Sequence, residues 1–281
     1  MIQFLLRISK RFAVLVPGII IAYISVNNIF PYFDKRLPLG IAVLFTYGLG
    51  AYILVPAIIR LLRIIRPVDH LPLYCVTPDG FASDPINVGI IGTRRELILA
   101  MENTGWFMAD RHSLRNTARQ VLSIIYGWYY PKAPVSSLYL FGRKQDIAFE
   151  IPIEGRPGER HHVRFWATTF DNKKPLDVRA IQWQHRQEHV AQDNLLWVGA
   201  ASLDIGIGFI RHNLQLTHSI DPDTNQERDL IVKRLVSKKL VKRVETVTLG
   251  EPYKLINRVV SGSLHTDGKM DIVKLTKVGR S

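Results

Sequence analysis

Two long uncharged runs constrain this chain more than any other feature. Residues 12–33 and 37–59 contain no Lys, Arg, Asp or Glu. A helix rises about 1.5 Å per residue, so each run could cross a hydrocarbon core roughly 30 Å thick. Because only residues 34–36 separate the runs, we predict a transmembrane helical hairpin over residues 1–66. A cleaved signal peptide is the alternative for the first run, but a second run follows it at once.

The basic residues are concentrated around these runs. The chain has a net charge of +13, and residues 1–66 supply +7 of it. Three basic residues precede the first run, three follow the second and two lie in the turn between them. The positive-inside rule then predicts a two-pass protein of the inner (cytoplasmic) membrane, with both ends and the soluble domain in the cytoplasm.

This charge distribution also bears on the classes of partner and cofactor. A membrane lipid bilayer is the expected partner, with other envelope membrane proteins as further candidates. Nucleic acid is disfavoured because no aromatic-interleaved basic motif is present. The chain lacks nucleotide-binding, serine-hydrolase and paired-cysteine motifs, and its one cysteine, Cys75, cannot form an intrachain disulfide. The cofactor is therefore unknown.

The remainder of the chain has the pattern of an α+β domain with a mostly antiparallel sheet and flanking helices. Residues 67–83 contain three prolines and are predicted to form a linker, and residues 84–281 are predicted to form the domain. A capping box at Thr93 and Glu96 predicts a helix, and a second helix is predicted from Ser113 to Gly127. The other predicted elements are a helix from Asp221 to about Leu240 and eight strands. These strands lie near residues 86–91, 136–143, 145–153, 160–168, 195–204, 210–219, 243–249 and 270–277.

The densest chemistry lies in the segment RHHVRFW, residues 160–166. Alternation along a strand places Arg160, His162 and Arg164 on one face. Arginine can hold an anion while imidazole transfers a proton, so we predict His162 as a catalytic residue and the two arginines as anion-binding residues. Arg143, near a predicted hairpin turn at Gly142, is a further anion-binding candidate. An exposed polar sheet face is the alternative.

A second cluster follows the strand predicted at 210–219. His218 lies at the end of that strand, and Asp221 and Asp223 lie at the start of the next predicted helix, where anions bind well. We predict His218 and Asp221 as catalytic residues, with Asp223 as the alternative carboxylate. Simple helix capping is the other interpretation of both aspartates.

The segment at residues 185–189 matches the HxxEH zinc signature through His185, Glu188 and His189. It lies in a polar stretch, residues 171–194, that has no strongly apolar helix to hold it rigid. We interpret the match as chance and predict no metal site.

Several segments in order resemble the LssY C-terminal domain family. They span roughly residues 80–240: DPINVGIIG (84–92), SLYLFGRKQDIAFE (137–150), RHHVRFW (160–166), LWVGAASLD (196–204) and THSIDPDTNQERD (217–229). That bacterial family is often associated with DedA-type membrane proteins and type-2 phosphatidic acid phosphatases. The resemblance implies a membrane and lipid context. The phosphatase motifs themselves are missing here, so their activity is not transferred.

These observations lead to one functional hypothesis and one rival. The first is a membrane-anchored domain that binds or processes a phosphorylated, lipid-linked ligand at the cytoplasmic membrane surface. As an enzyme it would be a hydrolase acting on a phosphate-containing substrate, with His162 or His218 as acid and base. The rival is a non-catalytic binding or assembly module of an envelope or secretion system.

Overall fold

The computed structural model describes residues 19–54, 57, 71–78, 82–156, 159–169, 195–209, 216–257 and 262–276. The chain divides into two compact units. The first comprises Met1–Pro67 with Pro78–Phe81, and the second comprises Val68–Thr77 with Ala82–Ser281.

The first unit has helical segments on both sides of a turn. They are a π-helix at Ser25–Ile29, α1 at Phe30–Asp34, α2 at Leu39–Gly48 and a second π-helix at Leu49–Leu54. The rings of Phe33 and Phe45 lie 5.6 Å apart, so α1 and α2 pack against each other. No helix within the described residues is both long and apolar enough to cross a membrane. Residues 12–18 of the first predicted span lie outside the described residues.

The second unit is α+β with mostly antiparallel strand pairing, as the sequence predicted. Its helices are α3 (Arg94–Asn103), α4 (Leu114–Tyr126) and α5 (Asn225–Ser237). Its strands are β1 (Tyr74–Val76), β2 (Ala82–Pro85), β3 (Val88–Ile91), β4 (Phe107–Met108), β5 (Tyr139–Leu140), β6 (Arg143–Lys144), β7 (Ile147–Pro152), β8 (Glu159–Thr169), β9 (Leu195–Phe209), β10 (Leu216–Ile220), β11 (Val241–Thr248), β12 (Tyr253–Asn257), β13 (Gly262–Thr266) and β14 (Lys269–Leu275).

These strands form a large sheet, a small sheet and a hairpin. The large sheet has the order β11-β14-β3-β9-β8-β7-β4, and β10 also pairs with β9. The small sheet has the order β2-β1-β5-β6, and β12 pairs with β13. β14 and β3 pair in parallel, whereas the other described pairs are antiparallel.

Alternate residues of β8 pack into different apolar clusters. Val163 and Phe165 belong to the cluster that includes Leu97 of α3 and Ile231 of α5. Trp166 belongs to the cluster that includes Leu140 of the small sheet. The large sheet is therefore covered by helices on one face and by the small sheet on the other. This arrangement confirms the predicted alternation along residues 160–166.

A glycine lets the central strands of the large sheet pack closely. A Cβ atom at Gly199 of β9 would lie 2.6 Å from side-chain atoms of both Phe165 and Val88. Any larger residue would force these core side chains apart, so the position requires glycine.

The predicted helix starts are right for α3 and α4. Thr93 and Glu96 form the reciprocal capping box, with Thr93 N donating to Glu96 Oε2 at 2.8 Å. Ser113 Oγ accepts from Asn116 N at 3.1 Å, which caps α4 as expected. α5 begins at Asn225 instead of Asp221 and ends at Ser237.

Two other predictions about this unit need correction, and one pair of strands was missed. The predicted linker, residues 67–83, contains β1 and the start of β2, because three prolines there do not prevent short strands from pairing. The turn at Gly142 joins β5 to β6, whereas β7 pairs with β8 in the other sheet. β12 and β13 were not predicted from the sequence.

Candidate functional site

A set of buried polar side chains lies where the small sheet covers β7, β8 and β9. We call it the charge row, and it comprises Asp84, Glu150, Arg160, His162, Arg164, Ser202 and Asp204. All seven residues are buried. Strand register builds most of the row: His162 is the cross-strand partner of both Glu150 and Ser202, and Arg160 is the partner of Asp204. Asp84 reaches the row from β2.

Arg160 contacts two carboxylates of the charge row. Its Nη1–H donates to Glu150 Oε2 at 2.6 Å, and its Nε–H donates to Asp204 Oδ2 at 3.1 Å. Its Nη2–H donates to the carbonyl of Pro134 at 3.5 Å. Burying a guanidinium is costly unless it is paired and hydrogen-bonded, and these contacts meet that requirement.

Asp84 joins the other two basic side chains of the row, those of His162 and Arg164. Its Oδ2 atom accepts from Arg164 Nη1 at 2.7 Å and lies 3.3 Å from His162 Nε2. Arg164 also donates to the carbonyl and the hydroxyl of Ser136, at 3.1 and 3.0 Å. His162 Nδ1 lies 3.3 Å from Asp204 Oδ1, which is an ion-pair distance without the alignment of a hydrogen bond.

The pKa values of the row reflect both burial and pairing. Burial raises the pKa of Glu150 to about 7, although Arg160 opposes the shift. Burial alone would lower the pKa of His162 and raise that of Asp84. The charge of Asp204 reverses the effect on His162, so its pKa is raised, and Arg164 reverses it on Asp84, so its pKa is lowered. Glu150 therefore changes charge near neutral pH.

Three neighbouring polar atoms of the row have no hydrogen-bond partner. They are Glu150 Oε1, His162 Nδ1 and Ser202 Oγ, which lie on residues paired across β7, β8 and β9. Each such atom costs about 1–3 kcal/mol when it is buried. Each buried polar atom without a hydrogen bond calls for an explanation, and three of them on neighbouring strands make this part of the sheet a candidate site.

A cavity of about 620 Å³ borders the charge row. Gln120, Ser123 and the aromatic residues Trp128, Tyr129 and Tyr130 line one side of it. Residues of β7, β8 and the turn between them also line it, and their charged members are Glu154, Arg156, Glu159 and Arg160. Arg156 Nη1 lies 3.2 Å from Glu159 Oε2. Arg160 therefore belongs both to the charge row and to the cavity wall.

The structure brings some of the predicted site residues together and separates others. Arg160, His162 and Arg164 share the charge row. His218 lies on β10, which pairs with β9, and its backbone partner Ile207 is five residues beyond Ser202, the partner of His162. The side chain of His218 lies outside what the structure describes.

The other predicted residues have local roles. Arg143 pairs with Asp146 and donates to the carbonyl of Ala167, so its guanidinium joins β6 to β8. Asp221 accepts from the backbone N–H of Asp223 at 2.8 Å, and Asp223 in turn accepts from the N–H of Asn225. These contacts form local turns before α5, whose N-cap residue is Thr224 and has no side-chain capping hydrogen bond.

No group of three or more His, Cys, Asp or Glu residues in the described part of the chain is arranged to hold a metal ion. The HxxEH segment, with His185, Glu188 and His189, lies outside the described residues.

Sequence reasoning did not find the three carboxylates of the row, which are Asp84, Glu150 and Asp204. A signal was present, because two arginines and a histidine predicted on one sheet face need anionic partners if that face is buried. The interpretation as an exposed polar face was wrong, because all three side chains are buried. Residues that pair across strands could not be assigned before the strand register was known.

The site defines a class of protein: an α+β domain whose sheet buries an ionic row beside a cavity lined by aromatic, basic and acidic side chains. Residues 68–270 match the family described as the LssY C-terminus, and the chain belongs to that family. No curated protein and no solved structure was found to match the chain.

Proposed function

We propose that this domain binds an amphiphilic ligand with a phosphate-like anionic group in the cavity beside the charge row. The cavity offers two kinds of contact. Trp128 and Tyr129 supply aromatic surface for an apolar part, and Arg156 and Arg160 supply guanidinium groups for an anionic part. An anionic ligand must compete for Arg156 with Glu159, which also lines the cavity. Ligand pockets commonly combine apolar walls with a few polar groups in this way.

The position of Arg160 is the observation that carries the proposal. Its hydrogen bonds to Glu150, Asp204 and Pro134 fix the orientation of the guanidinium. The same residue lines the cavity. A guanidinium held by buried carboxylates loses little further side-chain entropy when it binds an anion, which favours affinity.

Binding fits the geometry better than catalysis does. His162 is only 1% exposed, and its two ring nitrogens face Asp84 and Asp204. A general acid or base must come within hydrogen-bond reach of the group that reacts. We therefore favour the role of a binding module over that of a hydrolase.

A location at the cytoplasmic membrane is part of the proposal. Its support is the sequence of residues 1–66, with its two uncharged runs and their basic flanks. Reporter fusions at the N-terminus and after Arg66 test the predicted topology. Both should report a cytoplasmic position, and a periplasmic signal from the second fusion would contradict it.

Calorimetry with soluble short-chain lipids tests ligand binding. The full chain in a mild non-ionic detergent should bind dihexanoyl phosphatidic acid more tightly than dihexanoyl phosphatidylcholine. Arg156→Gln should weaken phosphatidic acid binding about tenfold or more, since a charge-assisted hydrogen bond contributes roughly 1.5–3 kcal/mol.

Arg243→Gln is the matched control, because Arg243 is an exposed arginine paired with Glu245 on β11, away from the cavity lining. It should leave the affinity unchanged. Equal binding of the two lipids, or equal effects of the two substitutions, would refute the proposal.

A further inference from the structure

Helix α4 has its polar and apolar faces reversed relative to an ordinary surface helix. Ser123 is buried, and Gln120 and Asn116, three and seven residues earlier, are half-buried. The opposite face is apolar and exposed. Its exposed fractions are 93% for Leu114, 49% for Val121, 42% for Leu122 and 67% for Ile125. A surface helix normally turns its apolar stripe towards the core.

Several contacts fix this orientation. Ser113 caps the helix, and the Asn116 amide donates to the carbonyl of Arg111 at 2.9 Å. The guanidinium of Arg119 lies 4.3 Å from the ring centroid of the buried Tyr130. Gln120 and Ser123 line the cavity. The polar face of α4 is thus attached to the domain and its apolar face points outward.

Aromatic side chains extend this exposed apolar surface beyond the end of α4. Tyr126 and Trp128 stack with their ring centroids 5.1 Å apart, and both are more than half exposed. Tyr129 is 64% exposed. Trp and Tyr are enriched at membrane–water interfaces, where one part of the ring is apolar and the other meets water. We call α4 with residues 126–129 the apolar ridge.

The charge around the apolar ridge indicates which partner fits it. Residues 111–132 contain four basic residues and no acidic one: Arg111, Arg115, Arg119 and Lys132. A second copy of this surface would bring like charges together, which disfavours a symmetric dimer. An apolar helix face with flanking arginines and terminal aromatics is instead the pattern of helices that lie in an anionic lipid surface.

We propose that the apolar ridge lies in the headgroup region of an anionic bilayer, with Leu122 and Ile125 immersed in its apolar part. This surface is separate from any membrane-spanning segment in residues 1–66. It goes beyond the proposed cavity ligand and does not depend on it.

Spin labels on the full chain in lipid vesicles test the depth of the ridge. Labels are placed at Leu122→Cys and Ile125→Cys, with Val236→Cys on α5 as the control, because Val236 is a 50% exposed apolar residue on another helix. The native Cys75 is fully buried, and unlabelled wild-type protein checks that it does not react. Accessibility to oxygen and to a water-soluble nickel complex is then measured.

We expect the labels at 122 and 125 to gain oxygen accessibility and lose nickel accessibility, more so with phosphatidylglycerol than with phosphatidylcholine alone. The label at 236 should remain accessible to nickel. Because depth is measured instead of retention on the vesicle, a transmembrane anchor elsewhere in the chain cannot produce this difference.

Two results would overturn the inference. One is equal nickel accessibility at 122 and 236 in anionic vesicles. The other is shielding of the 122 label in detergent solution that increases with protein concentration, which would assign the ridge to contact between copies. Calorimetry with Arg156→Gln tests the cavity separately, so failure of either proposal can be distinguished from failure of the other.

Discussion

The charge row and the apolar ridge both depart from the usual distribution of residues, in opposite directions. The charge row buries carboxylates, arginines and a histidine between two sheets. The apolar ridge exposes Val121, Leu122 and Ile125 on the outside of a helix. The difference lies in where their partners are. Asp84 and Arg164 are partners within the domain, whereas the ridge has no apolar cover from the described residues.

This difference separates internal organisation from external contact. Buried charges whose partners lie in the same domain fix the arrangement of strands and hold Arg160 in the cavity wall. An exposed apolar face leaves an interaction unmade within the domain and so indicates contact with another surface. Changes in the charge row should therefore affect folding, while changes in the apolar ridge should affect association.

The largest expected effect comes from breaking one buried ion pair. Arg164→Met should lower the free energy of unfolding by about 3–5 kcal/mol, because it leaves Asp84 buried without its closest cation. Urea unfolding followed by tryptophan fluorescence measures the change. Arg243→Met, at the exposed pair with Glu245, should change stability by less than about 1 kcal/mol. Similar losses in the two variants would mean that the row is not a buried network.

The pH dependence of stability should depend on Glu150. Its pKa is about 7 in the folded protein, against an ordinary value of 4.5. The folded state therefore binds the proton of Glu150 more tightly than the unfolded state does. The resulting contribution to the free energy of unfolding is fully present below about pH 4.5 and is lost as the pH rises through 7. The shift corresponds to a change on the order of 3 kcal/mol.

Glu150→Gln should flatten this dependence between pH 4.5 and 7 in urea unfolding series. His162, whose raised pKa acts in the same direction, should leave a residual slope. An unchanged slope in Glu150→Gln would show that the carboxyl does not titrate in this range.

Removing a helix cap should distinguish a helix in the core from the helix of the apolar ridge. Thr93→Ala at α3 should lower the global free energy of unfolding by about 1 kcal/mol, since Leu97 and Met101 of that helix are buried. Ser113→Ala at α4 should lower hydrogen-exchange protection within α4 and change global stability less. Equal losses of global stability would contradict the separation.

The smallest expected effect on stability is in the apolar ridge itself. Val121→Gln and Val236→Gln replace valines that are 49% and 50% exposed, and each should change the free energy of unfolding by about 0.5 kcal/mol or less. The two variants should differ in anionic vesicles. There, Val121→Gln should reduce the immersion of a spin label at residue 125, and Val236→Gln should leave it unchanged. A large loss of stability in Val121→Gln would place that side chain in the core.

The sequence predicted the parts of the fold that depend on local chemistry. The capping box at Thr93 and the cap at Ser113 depend on residues only three apart, and alternation along residues 160–166 depends on strand geometry alone. The ion-pair partner of Arg164 could not be predicted from local chemistry. Its partner Asp84 lies 80 positions away and on a different sheet, so only the packing of the two sheets reveals the pair.

The direction in which α4 faces also escaped prediction. Its apolar periodicity predicted a helix correctly, and that pattern normally implies a buried apolar stripe. The same periodicity is compatible with contact to any apolar surface, inside the domain or outside it. The buried Ser123 and exposed Ile125 show the orientation only once the domain is assembled.

Arginine side-chain NMR during titration with dihexanoyl phosphatidic acid tests the central claim most directly. Arg160 lines the cavity, whereas Arg164 donates hydrogen bonds to Asp84 and Ser136 at the charge row. The account predicts that the Nε–H resonance of Arg160 shifts with ligand concentration and that the resonance of Arg164 stays in place. A shift of Arg164 with none at Arg160, or no shift at either, would contradict it.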